Sequence, residues 1–295
     1  MGQLIDGVWH TGWYDPDKSG AFQRPASKFR NRPAAITAKR FRLYVSYACP
    51  WAHRAIIMRS LRGLADALPM TVMDPKMGDD GWVYDGGLLR DLYLRADPQY
   101  SGRVTVPVLW DEQTNTIVNN ESREVMRLLD NDFAPLGVKP LEPSLAPPEL
   151  VRDGSIDRVL DDIYAPINNG VYRAGFASTQ DAYEEAAREL FAALAHWEGV
   201  LARQPFTCGD RMTEADIALF TTLLRFDLVY YSHFKCNLRA LRDHPALWRF
   251  TRRMYQHPGI RPTCHLDHIK THYYWSQTTV NPTRVVPIGP TLDLE

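Results

Sequence analysis

Residues 42–54 read Arg42-Leu43-Tyr44-Val45-Ser46-Tyr47-Ala48-Cys49-Pro50-Trp51-Ala52-His53-Arg54. The aromatic and β-branched run that ends at Val45 favours a buried strand. From Trp51 onward the residues favour a helix and include no internal breaker. Pro50 suits the first helical position, where its missing N–H is not needed. The stretch therefore predicts a strand, a turn around Cys49 and then a helix.

Cys49 lies where the predicted strand gives way to the predicted helix. Most lone cysteines are small buried apolar residues, but the N–H groups and positive dipole end of a helix N-terminus stabilise a thiolate. This position favours a reactive thiol. The residue three places further on is Ala52, so a two-cysteine disulfide cycle is excluded. A reactive Cys49 has to take its second thiol from a small molecule, of which glutathione is the obvious candidate.

The composition is that of a globular protein with one large or two modest domains: 295 residues, 45% hydrophobic and 23% charged. A net charge of −1 argues against a nucleic-acid-binding role. The four cysteines are far apart and lack paired metal-ligand spacing, so we expect no metal site. We also expect no membrane partner, because no apolar run approaches the roughly 20 residues of a span and no signal core is present. Free thiols then indicate a reducing compartment, the cytoplasm.

The N-terminal half predicts an α/β unit at residues 38–130. Met70–Met73 predicts a second strand, and residues 104–118 predict a hairpin that follows a special bend at Val106-Pro107, for which a cis peptide is one explanation. The helix that begins near Glu121-Ser122 offers a seat for an amino-acid-like ligand, or only an ordinary cap. This order of elements is thioredoxin-like. Residues 1–37 form an extension that is either an ordered arm or a frayed terminus.

Five prolines at residues 131–149 predict a linker. Residues 150–295 then predict an all-helical domain with helices near 150–168, 180–202, 213–230 and 245–257. Thr213 and Asp216 have the spacing of a capping box. We expect the tail from Asp267 to Glu295 to pack as extended chain over the body and not as a helix.

A thioredoxin-like unit, a proline linker and an all-helical unit resemble the glutathione transferase superfamily. Its cis-proline turn, glutamyl-binding pair and helix-capping box are matched by Val106-Pro107, Glu121-Ser122 and Thr213–Asp216. Cys49–Arg54 resembles the nucleophile motif of the Xi class, the glutathionyl-hydroquinone reductases. Residues 168–176, 225–230, 233–237, 269–274, 281–282 and 287–290 also resemble that class, whereas Tyr231-Ser232 departs from it. The resemblance implies an α/β thioredoxin-like N-terminal domain plus an all-α C-terminal domain.

The resemblance also implies a reaction. Cys49 removes the glutathionyl sulfur from a glutathionyl-hydroquinone, and a second glutathione resolves the mixed disulfide. Matching tyrosines imply that Tyr172 donates a proton and that Tyr230 and Tyr273 support the thiolate. From the residues alone, each tyrosine is more simply a half-buried core residue with a satisfied hydroxyl.

For glutathione the resemblance implies contacts from Trp82, Arg103, Val106, Glu121 and Ser122, and for the assembly it implies a homodimer. Other residues leave alternatives open. His53 lies one helical turn from Cys49 and could act as its base. We favour a structural role, because the helix N-terminus already stabilises the thiolate. We expect Cys208, Cys236 and Cys264 to be buried and not to take part in the reaction.

Two other functions fit the same features. One is a broader thiol transferase or dehydroascorbate reductase of the same fold, in which the aromatic residues are incidental. The other is a non-catalytic interaction protein that retains the fold.

Overall fold

The structure is a computed structural model that describes residues 2–12 and 16–295. Nine strands and ten α-helices account for most of the regular structure of these residues. The strands are β1 (Gly2–Ile5), β2 (Val8–Thr11), β3 (Phe41–Val45), β4 (Met70–Val72), β5 (Val83–Tyr84), β6 (Gly87–Leu88), β7 (Gly102–Arg103), β8 (Val108–Asp111) and β9 (Thr116–Asn119). The helices are α1 (Pro50–Leu61), α2 (Leu89–Ala96), α3 (Ser122–Asn131), α4 (Pro148–Arg152), α5 (Ser155–Ile163), α6 (Gly170–Gly175), α7 (Gln180–Leu201), α8 (Glu214–Arg225), α9 (Pro245–Gln256) and α10 (Leu266–Ser276).

A four-stranded mixed sheet forms the centre of the α/β half, in the order β4-β3-β8-β9. β3 pairs in parallel with β4 and antiparallel with β8, which continues into β9 as a hairpin. Four of the five residues of β3 are buried, as its aromatic and β-branched composition predicts. The predicted strand, turn and helix around Cys49 are confirmed, with Pro50 in the first turn of α1. The Val106–Pro107 peptide is cis, which confirms that prediction too.

The helical half is built around α8, in which all twelve residues are buried. Its predicted capping box between Thr213 and Asp216 is present. Two helices continue into π turns, at Tyr164–Asn168 after α5 and at Phe226–Tyr230 after α8. Across the described ranges, none of the helices combines the length and apolar content needed to cross a membrane.

The N-terminal extension packs onto the body as an arm. β1 and β2 form a hairpin, and β1 also pairs with β7. Leu4 and Phe22 are buried in the main core, so the described part of this segment is not frayed. Positions 1 and 13–15 of the expected extension lie outside the described residues.

The prediction of an extended tail is wrong for its first part. Residues 266–276 form helix α10, because Ile269 and Tyr273 share a face that is buried in the core. Beyond Gln277 the chain has no helix or strand through residue 295, as expected. Between β4 and α2, the strands β5 and β6 pair as a short antiparallel hairpin.

Candidate active site

Cys49 is the N-cap residue of α1 and is half-buried. Its Sγ lies 3.6 Å from the carbonyl oxygen of Val106, the residue before the cis proline. The strand-to-helix turn and the cis-proline turn therefore meet at the sulfur. Cys49 lines a cavity whose walls include Trp82, Arg103, Val106, Tyr172 and Tyr273.

The surroundings of the sulfur have opposing effects on the pKa of the Cys49 thiol. Burial raises the pKa of the Cys49 thiol, whereas the backbone N–H groups of Ala52 and Trp51 and the charges of Arg225 and Arg24 lower it. The helix N-terminus acts in the predicted direction. The cost of burying the thiolate is nevertheless the largest contribution, so the pKa of Cys49 is raised on balance.

Three tyrosine hydroxyls form a chain that ends at the cavity. The Tyr172 and Tyr273 hydroxyl oxygens are 2.6 Å apart, and those of Tyr230 and Tyr273 are 2.9 Å apart. Tyr172 and Tyr273 line the cavity beside Cys49. Tyr230 is fully buried next to Tyr273 and does not line the cavity.

The direction of this hydrogen-bond chain follows from satisfying the buried hydroxyl. Tyr230 is completely buried, and its hydroxyl hydrogen finds its acceptor in the Tyr273 oxygen. Tyr273 then donates to Tyr172, which leaves the Tyr172 hydrogen directed to the cavity. Burial raises the pKa of Tyr172 to about 12 and raises the pKa values of Tyr230 and Tyr273 well above the usual range. All three phenols therefore keep their protons at neutral pH.

A groove continues from the cavity along the N-terminus of α3. Glu121 and Ser122 line it together with Val106 and Arg103, which also belong to the cavity. Glu121 is the N-cap of α3 and accepts hydrogen bonds from the Arg123 N–H and the Ser27 hydroxyl. The groove therefore combines a helix N-terminus with the carboxylate of Glu121, and these two features suit the carboxylate and the ammonium of an amino-acid group.

Two of the predicted contact residues are held by other parts of the chain. Arg103 Nη1 donates to the carbonyl oxygens of Gly2 and Gly12, so the N-terminal arm orients it. Trp82 stacks on the ring of His272 with centroids 4.8 Å apart and an interplanar angle of 16°. The loop tryptophan thus forms a flat wall of the cavity against α10.

The hydrogen bonds of His53 favour the structural role over that of a base on Cys49. Its Nδ1 lies 3.2 Å from Arg225 Nη1, which only donates, so Nδ1 is the acceptor. Its Nε2 then carries the hydrogen and donates to Thr263 Oγ1 at 2.9 Å. Burial lowers the pKa of His53 well below its usual range. Both ring nitrogens are therefore occupied away from the sulfur.

The other cysteines differ in burial. Cys236 is buried, as expected, but Cys208 and Cys264 are only half-buried, because each packs against the outside of a buried cluster. The expectation of three buried cysteines is corrected for these two. Within residues 2–12 and 16–295, no group of three or more His, Cys, Asp or Glu side chains is arranged to hold a metal ion.

Several residues at the site escaped the sequence analysis. Arg24 of the arm lies over the rings of Trp51 and Tyr172, at 4.8 and 4.7 Å from their centroids. Arg54 is buried, also lies over the ring of Trp51 and donates to Asn168 Oδ1 at 2.8 Å. Arg54 could have been singled out from the sequence, because a charged residue in a helix of buried apolar residues needs a partner. For Arg24 the sequence carries no comparable signal.

Comparison with known proteins identifies the architecture. The model of the glutathione S-transferase N-terminal domain matches residues 48–132, and the model of the C-terminal domain matches residues 180–253. The chain is 46% identical to glutathionyl-hydroquinone reductase YqjG of Escherichia coli (strain K12), covering all of this chain and 97% of that protein. It is 44% identical to glutathionyl-hydroquinone reductase PcpF of Sphingobium chlorophenolicum, covering 98% and 96%.

Solved structures agree with these relatives. The Xi class glutathione transferase from Natrialba magadii is 48% identical and superimposes with a TM-score of 0.91, covering 100% of this chain and 95% of that one. The glutathione-bound structure of YqjG from Escherichia coli K-12 is 44% identical with a TM-score of 0.86, covering 99% and 97%. The predicted fold, a thioredoxin-like domain plus a helical domain, is therefore confirmed. The chain belongs to the glutathione S-transferase family and, within it, to the Xi class.

Proposed function

We propose that this protein is a glutathionyl-hydroquinone reductase that uses glutathione as co-substrate. The observation that carries the proposal is the shared cavity of Cys49 and Tyr172, in which a nucleophilic sulfur and a hydroxyl donor face the same space. The relatives YqjG and PcpF bear this activity in their names. A cysteine nucleophile and a separate proton donor are the two groups that the reaction needs.

The reaction proceeds in two displacements on sulfur. In the first, the Cys49 thiolate attacks the glutathione sulfur of the aryl thioether and forms a Cys49–glutathione disulfide. The electron pair of the broken carbon–sulfur bond goes to the ring carbon, which takes a proton and leaves as the hydroquinone. In the second, the thiolate of another glutathione attacks the glutathione sulfur of this disulfide, releases oxidised glutathione and regenerates the Cys49 thiolate.

Tyr172 supplies the proton to the ring carbon. Its hydrogen points to the cavity, and the phenolate that remains accepts a hydrogen bond from Tyr273, which is in turn supported by Tyr230. Before this step the Tyr172 hydroxyl donates to the sulfur, and Tyr273 and Tyr230 support the thiolate through Tyr172. Tyr230 acts through Tyr273 and does not touch the substrate.

Glutathione occupies the groove with its glutamyl group at the N-terminus of α3. Glu121 takes the ammonium and Ser122 takes the carboxylate, while Arg54 Nη1, 3.4 Å from Ser122 Oγ, holds that hydroxyl in place. The backbone of Val106 pairs with the cysteinyl unit, as a strand edge does. Arg103 takes a carboxylate of the tripeptide, and Trp82 walls the site.

The proposal is tested by replacing the nucleophile. Cys49→Ala and Cys49→Ser should both lose turnover of a glutathionyl-hydroquinone by at least about 10³-fold with the fold retained, because neither supplies a thiolate. Mass spectrometry should detect the glutathione adduct on Cys49 in the wild type. Cys264→Ala is the matched control, since Cys264 is also half-buried and lies outside the cavity lining; its turnover should be unchanged.

Three results would contradict the proposal. Full turnover in Cys49→Ala would remove the mechanism. A clear preference of the wild type for a small mixed disulfide or for dehydroascorbate would instead assign a general thiol transferase. A Cys49 that is unreactive towards a thiol probe would favour the non-catalytic function.

We also propose a homodimer in the cytoplasm. A cytoplasmic location is supported by the four free cysteines, which a reducing compartment keeps unpaired. The dimer is an expectation from the Xi class. Light scattering of the purified protein tests it, and a mass of one chain at micromolar concentration would contradict it.

A further inference from the structure

Two polar side chains of the cavity have no part in the proposed steps. His272 lies in α10 and Gln277 directly follows this helix. Both line the cavity beside Cys49 and Tyr172, and they are only 5% and 3% exposed. Polar groups that are buried in this way normally have a hydrogen-bond partner.

The hydrogen bonds of His272 define its tautomer. Its Nδ1 lies 2.9 Å from the carbonyl oxygen of Pro75, which only accepts, so Nδ1 carries the hydrogen. Burial lowers the pKa of His272 to about 4, so the ring is neutral at physiological pH. Its Nε2 is therefore a hydrogen-bond acceptor. Stacking on Trp82 fixes the plane of the ring.

Gln277 supplies the complementary group. Its Oε1 lies 2.9 Å from His233 Nε2, and this oxygen accepts the N–H of His233. The amide nitrogen of Gln277 then keeps its two N–H donors. Among the described residues, neither this nitrogen nor His272 Nε2 has a hydrogen-bond partner, and both side chains border the cavity.

We propose that His272 and Gln277 recognise a phenolic hydroxyl of the substrate ring, with His272 Nε2 accepting its hydrogen and the Gln277 amide donating to its oxygen. A hydroxyl is the group that both donates and accepts at one atom. This inference rests on the proposed function and narrows its substrate class. Cys49 and Tyr172 act on the sulfur-bearing side of the ring, and the wall formed by α10 selects aryl thioethers that carry a free hydroxyl.

The test compares substrates in two variants of His272. The substrates are a glutathionyl-hydroquinone and its two mono-O-methyl ethers. His272→Asn keeps an N–H near the position of Nδ1 for Pro75 and removes the acceptor at Nε2. His272→Gln keeps a polar atom at the depth of Nε2. Circular dichroism verifies that both variants are folded.

The expected result is a loss of discrimination in one variant and its rescue in the other. Methylation of one of the two hydroxyls should lower kcat/KM of the wild type by about tenfold, the effect of one lost hydrogen bond with its buried partners left unpaired. In His272→Asn the same methylation should change kcat/KM less than about twofold, and His272→Gln should recover most of the wild-type ratio.

Other outcomes would overturn the inference. Equal discrimination in the wild type and His272→Asn would remove His272 from recognition, and no discrimination in the wild type would remove the hydroxyl requirement. Wild-type protein that turns over none of the three substrates would instead overturn the proposed function. Calorimetry with hydroquinone and 4-methoxyphenol would then decide the inference, which fails if the two ligands bind equally.

Discussion

At the scale of single residues, the three tyrosine hydroxyls have unequal positions. Tyr172 and Tyr273 border the cavity. Tyr230 does not border it and is linked to the site by the hydrogen bond between its hydroxyl and that of Tyr273. A proton leaving Tyr172 creates a negative oxygen that Tyr273 stabilises directly and Tyr230 stabilises at one remove. The contribution of each hydroxyl to kcat should therefore decrease from Tyr172 to Tyr273 to Tyr230 along this series of hydrogen bonds.

Phenylalanine substitutions should show this order. Tyr172→Phe removes the proton donor and should lower kcat by about 10²–10⁴-fold. Tyr230→Phe removes one hydrogen bond to Tyr273 and should cost about fivefold. Tyr274→Phe is the control, since Tyr274 bonds to Ser232 away from the chain, and its kcat should stay within about twofold. A larger loss in Tyr230→Phe than in Tyr172→Phe would contradict the direction assigned to the chain.

At the scale of elements, α8 begins at a buried helix cap that stabilises the fold and ends at the active site. At its start, Asp216 accepts hydrogen bonds from the N–H groups of Thr207 and Thr213 and from the Thr213 hydroxyl, at 2.7, 2.8 and 2.9 Å. At its end, the helix passes through Arg225 into the π turn that ends at Tyr230. π turns often mark functional sites, and here one sets the position of a site tyrosine.

The cap of α8 should matter more than a cap on the surface. Asp216→Ala leaves two buried N–H groups and a hydroxyl without their acceptor, which should lower the free energy of unfolding by about 2–4 kcal/mol. Thr179→Ala is the comparison, because the Thr179 hydroxyl caps α7 at 3.4 Å and donates to the Ser19 carbonyl oxygen at 2.8 Å, both in exposed positions; it should cost about 1 kcal/mol or less. Urea denaturation measures both values, and equal losses would show that burial does not strengthen the cap.

The sequence predicted well those elements that are determined by residues close together in the chain. The strand and helix around Cys49, the Val106–Pro107 turn and the Thr213–Asp216 box each depend on residues within one short segment. Helix α10 was missed because the prolines further along the tail outweighed the apolar spacing of its own residues. Arg225 and Arg24 were missed because their partners lie far away in sequence, as Ala48 lies 177 positions from Arg225.

At the scale of the whole molecule, Arg225 joins the helical half to the loop that carries the nucleophile. The side chain is fully buried and donates from Nε to the carbonyl oxygen of Ala48 at 2.8 Å and from Nη2 to that of Tyr47 at 3.0 Å. Within the described part of the chain, no carboxylate forms an ion pair with it. A buried cation is costly unless it is compensated; here three backbone carbonyl oxygens and His53 Nδ1 accept its hydrogen bonds, and its charge lowers the pKa of the nearby Cys49 thiol.

Arg225 should therefore set both the position and the ionisation of Cys49. Arg225→Met removes the charge, so the pKa of Cys49 should rise further, by about one unit, and alkylation by iodoacetamide at pH 7 should slow about tenfold. Arg225→Lys keeps the charge without the two carbonyl contacts and should lie between the two. Alkylation rates from pH 6 to 10 measure the pKa directly, because only the thiolate reacts and its fraction increases with pH.

Arg62→Met is the control. Arg62 is also largely buried, but it donates to the Glu142 carbonyl oxygen at 2.8 Å and so contacts the linker and not the sulfur. It should lower stability and leave the alkylation profile unchanged. If Arg225→Met kept the wild-type profile, the charge from the helical half would have no influence on the nucleophile, and the contacts of Arg225 would be structural only.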